Sequence, residues 1–235
     1  MRFALVLGWL AVAAAAGATD LVIHQRSSSS IEGGPPREET VYLTADKVVT
    51  DAPTMRTIVD LDKRTITAVD KNRRTYSVMT FDQISAQMDE LKKRMAELPP
   101  EARKAMEPLL DEGPPVTATA TGKTTTIAGY VANEWAIKGG PYTGSVWATD
   151  AIATPPAFQK WKSIEQGRGG MAGAGRRLGE AMQHVQGFPL RTRIETQTGG
   201  QTTILANEVL DVKEGTAPAD VLKVPAGYTR QAQEG

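Results

Sequence analysis

The sequence repeats one short unit in tandem between residues 59 and 78. Residues 59–68 read VDLDKRTITA, and residues 69–78 follow directly as VDKNRRTYSV. In each copy, a polar segment carrying Asp, Lys and Arg leads into a run of β-branched and apolar residues. This pattern is typical of consecutive antiparallel strands joined by tight polar turns. The repeat therefore predicts a β-meander, in which strands that are consecutive in the sequence pair with each other.

The charges in the repeat have a second interpretation, because Asp60-Leu61-Asp62 begins like a calcium-binding loop. Such a loop needs a third oxygen ligand, a glycine in its middle and a closing glutamate. None of these follows at the required spacing. We therefore interpret the charged residues as turn residues, and we predict no metal site.

Other segments show the same β signature, with short apolar runs bounded by Gly, Pro, Asp or Asn. The predicted strands outside the repeat are Leu21–Gln25, Val41–Val49, Val116–Ala120, Thr124–Ala128, Tyr130–Ile137, Tyr142–Thr149, Leu190–Thr198 and Thr202–Val212. Residues 221–228 predict a short edge segment.

Gly122-Lys123-Thr124 looks like the end of a phosphate-binding loop, but position 117 is threonine where that loop needs glycine. We interpret Gly122 and Lys123 as a hairpin turn.

Helical periodicity appears in two clusters. Thr80 to Gln83 form a capping-box pattern, and apolar residues then recur at three- and four-residue steps until Pro99-Pro100, namely Ile84, Met88, Leu91, Met95 and Leu98. A shorter helix is predicted at residues 101–110. The second cluster has helical segments at residues 156–166 and 176–185, separated by a glycine-rich stretch.

Strands that follow strands, with helices gathered in two places, predict a mainly β protein with some α structure (α+β). We expect a large curved antiparallel sheet or half-open barrel, with the helices packed on its concave face. The expected domain spans residues 19–235, with one helical insert at about 80–112 and a Gly-rich helical insert at about 155–187.

The first residues predict export. Met1 and Arg2 form a basic start, residues 3–16 are an apolar run, and Ala16-Gly17-Ala18 fits a signal-peptidase site. We therefore expect residues 1–18 to be a signal peptide, and the mature protein to be periplasmic or secreted in a bacterium. No second apolar stretch of that length follows, so we expect no transmembrane segment after cleavage.

Composition excludes several kinds of chemistry. The chain has no cysteine, which removes lipid-modified lipoproteins, disulfide scaffolds, thiolate zinc sites and cysteine nucleophiles. Its formal net charge is zero, which argues against nucleic acid as a partner. The two histidines, His24 and His184, lie in no catalytic or metal motif. We therefore predict no catalytic residues and no cofactor, and a protein that is not an enzyme.

The candidate binding residues are apolar. An adaptable stripe on the first predicted helix suits a lipid or an acyl chain, and it comprises Ile84, Met88, Leu91 and Met95. Alternatively, the same side chains simply pack against the concave face of the sheet. Trp135 and Trp147 lie on adjacent predicted strands. A three-residue loop near Gly139 would place both rings on one face, whereas a two- or four-residue loop would place them on opposite faces.

The order of these elements resembles a family of bacterial secreted proteins known as domain of unknown function 4412. The resemblance rests on residues 54–82, on Gly122-Lys123 through Tyr130, on Val146 to Asp150, on Glu208-Val209, and on Val224 to Tyr228. More distantly, the layout is similar to lipoprotein-localisation-factor-like proteins. That resemblance implies an incompletely closed antiparallel barrel capped by helices. The family has no assigned catalytic residues, so none is carried over.

Three functional hypotheses follow. The first is a periplasmic, non-enzymatic binding protein with an apolar groove for a lipid, an acyl chain or a hydrophobic partner segment. The second is a cell-envelope interaction or structural module with a fully packed core and no small-molecule ligand. The third is a hydrolase, which would need a carboxylate or hydroxyl within hydrogen-bonding reach of His24 or His184 in a cleft.

Overall fold

One twelve-stranded sheet organises the part of the chain that the structure describes. The computed structural model describes residues 20–31, 33–99, 101, 114–160, 174–198 and 200–231. The strands are β1 (Leu21–Ser29), β2 (Arg37–Leu43), β3 (Lys47–Asp51), β4 (Met55–Asp60), β5 (Thr65–Asp70), β6 (Thr75–Thr80), β7 (Thr117–Ile127), β8 (Tyr130–Gly139), β9 (Tyr142–Thr149), β10 (Phe188–Thr198), β11 (Gln201–Glu214) and β12 (Thr229–Arg230).

The strand order is β12-β6-β5-β4-β3-β2-β1-β11-β10-β9-β8-β7. Two meanders, β1–β6 and β7–β11, are joined where β1 pairs with β11. Every pair is antiparallel except the two-residue parallel pair of β12 with β6. The described strands β7 and β12 end the sheet without meeting, so the sheet is open. The predicted mainly β class and large antiparallel sheet are confirmed.

Within the described residues, two helices of ten residues or more are added to this sheet. α1 (Phe81–Ala96) begins at the predicted capping box, in which the Thr80 hydroxyl accepts from the Gln83 backbone and the Gln83 side chain accepts from the Thr80 N–H. α2 (Ala174–Gln183) matches the second predicted cluster. Residues 156–160 are also helical. The expected signal peptide at 1–18 and most of the predicted helix at 101–110 and of the glycine-rich stretch lie outside the described residues.

Three sequence-based expectations about strands are wrong. The predicted strand 41–49 is broken, because the Thr44 hydroxyl accepts from the Lys47 N–H at 2.9 Å and closes a turn between β2 and β3. Gly122 and Lys123 do not form a hairpin turn. They form a bulge inside β7, with Gly122 at φ 77° and the pairing with β8 shifted between Ala120 and Thr124. Edge pairing near the C-terminus is made by β12 rather than by residues 221–228.

The tandem repeat forms two copies of the same turn. Asp60 accepts from the Lys63 N–H at 2.9 Å, and Asp70 accepts from the Arg73 N–H at 2.8 Å. The next residue of each turn is an arginine in the left-handed region, at φ 52° for Arg64 and 54° for Arg74. The repeated charges are therefore turn residues, as predicted.

Each turn also holds another element against the sheet. The Arg64 carbonyl accepts from the Phe81 N–H at 2.9 Å, and the Arg64 guanidinium lies 5.4 Å from the Phe81 ring centre. In the second copy, the Arg74 carbonyl accepts from the Thr229 N–H at 3.0 Å, and its guanidinium lies 5.9 Å from the Tyr228 ring centre. The repeat thus fixes the start of α1 and the end of the chain in equivalent ways.

Apolar side chains form two cores. The large core comprises Leu21, Ile23, Leu43, Val48, Val59, Leu61, Phe81, Ile127, Ala132, Ile152, Ala157, Phe188, Leu190 and Val209. The small core joins α2 to β8, β9 and β10 and comprises Val116, Ile137, Tyr142, Val146, Ala148, Ala181, Val185 and Ile194.

The C-terminal segment 215–231, which we call the strap, covers the face of β3–β5 that points away from the large core. Residues alternate between faces along a strand, so Arg56 points away from the large-core residue Val59. The Arg56 guanidinium donates to both Asp51 carboxylate oxygens, at 2.8 and 3.2 Å, and to the strap carbonyl of Asp220 at 3.0 Å. Val221 of the strap is buried. A buried arginine therefore ties the strap to the sheet.

Replacing Arg56 by alanine is expected to lower the free energy of unfolding by about 3 kcal/mol, because the half-buried Asp51 carboxylate loses one of its two cationic partners and the hydrogen bond to the strap is lost. Urea unfolding measures this value. The matched control is Arg73→Ala, which removes an exposed ion pair with Asp70 and is expected to cost less than about 0.5 kcal/mol. Equal effects of the two substitutions would contradict the role given to Arg56.

Candidate functional site

An apolar row crosses five neighbouring strands and opens towards α1. The register places Leu43, Val48, Val59, Ile66 and Met79 side by side on β2 to β6. The first three are buried, whereas Ile66 and Met79 are half-buried. The row therefore leaves the large core and becomes accessible at the edge from which α1 starts.

α1 is anchored at its first turn. Phe81 is buried in the large core, and Asp82 forms an ion pair with Arg64 at 3.0 Å. Farther along the helix, Ile84 and Met95 are half-buried, whereas Ser85, Ala86 and Gln87 are exposed. The side chains of Met88 and Leu91 lie outside the described part of the chain. The described half of the predicted stripe is thus neither fully packed nor fully solvated.

The two candidate tryptophans lie on opposite faces of the sheet. The loop between β8 and β9 has two residues, so Trp135 is opposite Val146 and Trp147 is opposite Glu134. Trp147 packs against the large core, and Trp135 packs against the small core beside α2. They therefore cannot line one site on one face, and only Trp147 shares a core with the start of α1.

A polar pocket of about 340 Å³ lies at the end of β1–β3, away from the apolar row. Its lining residues are His24, Gln25, Glu38, Glu39, Thr40, Asp51, Ala52, Pro53, Lys71 and Leu210. Leu210 is the extra residue of a bulge in β11 opposite His24 and Gln25. Sequence reasoning missed this pocket, since only the register of β1 against β2 and β11 brings its residues together.

The pocket partly meets the condition stated for a hydrolase. Thr40 Oγ1 lies 3.2 Å from His24 Nδ1. Asp211 is opposite His24 in the register, but its carboxylate is ion-paired with Lys213 at 2.9 Å. The acids that line the pocket have other partners: Glu38 pairs with Arg26, Glu39 accepts from Gln25, and Asp51 pairs with Arg56 and Lys71. Within the described residues, the threonine–histidine contact is therefore an incomplete catalytic arrangement. Among the described residues, no group of three His, Asp or Glu side chains is placed to hold a metal ion.

Asp51 is the most strongly held carboxylate of the pocket. Besides Arg56, it accepts from Lys71 Nζ at 2.7 Å. Burial alone would raise the pKa of Asp51, but the hydrogen bonds from Arg56 and Lys71 outweigh it and lower the pKa below the ordinary value. Asp51 is therefore ionised at neutral pH and stabilises the junction of β3, β4 and the strap.

Fold and site together describe a mainly β protein with an open antiparallel sheet, an apolar row at one edge and a separate polar pocket. The chain belongs to the family described as Domain of unknown function (DUF4412), whose model matches residues 42–228. This confirms the resemblance expected from the sequence. Among curated protein sequences, none matches this chain significantly.

Solved structures show weaker similarity. PNGF-II in a C2 crystal form is 12% identical with a TM-score of 0.39, covering 91% of this chain but 31% of its own. MucB is 14% identical with a TM-score of 0.37, covering 90% and 59%. The LolA superfamily protein NE2245 from Nitrosomonas europaea is 8% identical with a TM-score of 0.26, covering 88% and 90%. The chain thus spans about a third of PNGF-II and three fifths of MucB.

No helix in the described ranges is both long enough and apolar enough to cross a bilayer.

The lowered pKa of Asp51 predicts a pH-dependent stability. Its ionised form contributes fully above the unfolded value of 3.8, and the contribution is lost as the pH falls through the lower folded value. The difference in the free energy of unfolding between wild type and Asp51→Asn should therefore be largest near neutral pH and shrink below pH 3.8. The exposed Asp62→Asn variant is the control. A difference that does not depend on pH would contradict this role of Asp51.

Proposed function

We propose that this chain is an exported, non-enzymatic binding protein of the bacterial cell envelope that receives an apolar ligand between the sheet and α1. The ligand is a lipid, an acyl chain or a hydrophobic segment of a partner protein. The observation that carries the proposal is the apolar row, which passes from the large core to the half-buried Ile66 and Met79.

The proposed site is continuous with α1. Ile66 and Met79 lie on β5 and β6, and β6 runs directly into α1 through Thr80. Ile84 and Met95 supply the described apolar side chains of the helix, and Met88 and Leu91 are proposed to complete the stripe. Thioether side chains adapt to ligands of varied shape, which suits flexible acyl chains.

The chemistry of the site favours an apolar ligand over a polar one. Covering half-exposed apolar surface contributes about 25 cal/mol per Å² removed from water. Each buried methylene of an acyl chain contributes about 0.8 kcal/mol. A chain of several methylenes lying along Ile66, Met79 and Ile84 would therefore bind without a strong directional contact.

The alternative function is an envelope interaction or structural module without a small-molecule ligand. One observation favours it: under the strap, Val49, Ile58 and Val69 are fully packed. If the edge near α1 is also fully packed, the apolar row is part of the hydrophobic core and is not a binding site. The two functions differ in what happens when a charge is placed on α1.

Replacing Met95 by aspartate should weaken binding of a fluorescent long-chain fatty acid at least about tenfold, because about 1.4 kcal/mol or more of apolar contact is lost. The melting temperature should stay close to that of the wild type. A fluorescence titration and a thermal melt measure the two quantities.

Ser85→Asp is the matched control, since it places the same charge on the exposed side of α1. It should leave both binding and melting unchanged. Unfolding of Met95→Asp, together with a wild type that binds no fatty acid, would reject the ligand-binding function and favour the packed module.

A further inference from the structure

The two edges of the sheet differ in the elements that lie beside them. At one edge, β6 is paired with β12, and α1 and the strap attach beside it. At the other edge lies β7, with no strand on its outer side in the described part of the chain. An exposed edge strand presents backbone N–H and C=O groups that are ready to pair with another strand.

Only the first half of β7 lacks the features that protect an edge. Its second half begins with the bulge at Gly122 and Lys123, and a bulge and an exposed lysine both discourage edge pairing. Pro114 and Pro115 precede the strand and stop any pairing there. Residues 117–121 lie between these two stops and carry no charge or proline. Residues 117–120 pair regularly with β8, and Thr121 is the first residue of the stretch in which the pairing shifts.

These five residues read TATAT, which is the same in both directions. When two copies pair antiparallel about Thr119, Thr117 meets Thr121 and Ala118 meets Ala120. Threonine pairs across strands are favourable, and the alanines permit close approach. In this register Lys123 lies opposite Pro115, so the two lysines stay apart.

We propose that β7 pairs with β7 of a second copy through residues 117–121, around a two-fold axis at Thr119. The contact uses the same edge of both copies, so this two-fold pairing closes at a dimer. Such a short strand pair buries less than the roughly 1,200 Å² of stable interfaces, so the dimer is weak and depends on concentration.

The absence of native cysteine allows a direct test. Paired residues on the axis have Cα atoms about 4.5–5.5 Å apart, within the range that a disulfide spans. Thr119→Cys should therefore give a covalent dimer on mild oxidation. Thr126→Cys, exposed on the same strand beyond the bulge, should remain monomeric. A monomeric Thr119→Cys, or equal cross-linking of both variants, would overturn the proposal.

Charge at the axis gives an independent readout by analytical ultracentrifugation. Thr119→Lys should weaken dimerisation about fivefold, because like charges then face each other across the axis. An equimolar mixture of Thr119→Lys and Thr119→Glu should restore it, because each lysine then faces a glutamate. Thr126→Lys should dimerise as the wild type does. A wild type that is monomeric up to about 1 mM, or a mixture that does not recover, would overturn the two-fold pairing.

Discussion

Backbone hydrogen bonding in a single open sheet is the constraint on which the rest of this structure depends. An open sheet has two faces to bury and two edge strands whose outer N–H and C=O groups need partners. Here the large core and the strap cover the faces of β3–β5, and α2 covers part of the other half of the sheet. Among the described residues, the end of the apolar row is half-buried, and β7 has no strand on its outer side.

The tandem repeat supplies some of these backbone partners, and both copies do so with the same turn. In each copy an aspartate closes the turn, and an arginine in the left-handed region accepts a backbone hydrogen bond from the element that comes to lie there. Arg64 receives Phe81 and Arg74 receives Thr229, with each guanidinium beside an aromatic ring. The duplicated charges therefore position α1, which borders the proposed ligand site, and the strap, which lies on the opposite face of the sheet.

Local patterns in the sequence predicted most strands, the capping box at Thr80 and the turns of the repeat, since neighbouring residues determine these features. Features that depend on distant pairing could not be read in this way. The hydrogen bond from Arg56 to Asp220 joins residues 164 positions apart, and the contact of His24 with Thr40 needs the register of β1 against β2. The faces of Trp135 and Trp147 depended on a loop length that the sequence left open. The turn at Thr44 was missed because one short side chain interrupts an otherwise continuous β pattern.

We propose that the apolar row near α1 is a binding surface rather than a closed core. Native mass spectrometry of the wild-type protein, purified from bacterial envelopes without detergent or denaturant, tests it most directly. A binding surface predicts discrete mass additions of lipid size that disappear after extraction with organic solvent while the protein refolds. The bare polypeptide mass alone, with no addition when lipid is supplied, would contradict it.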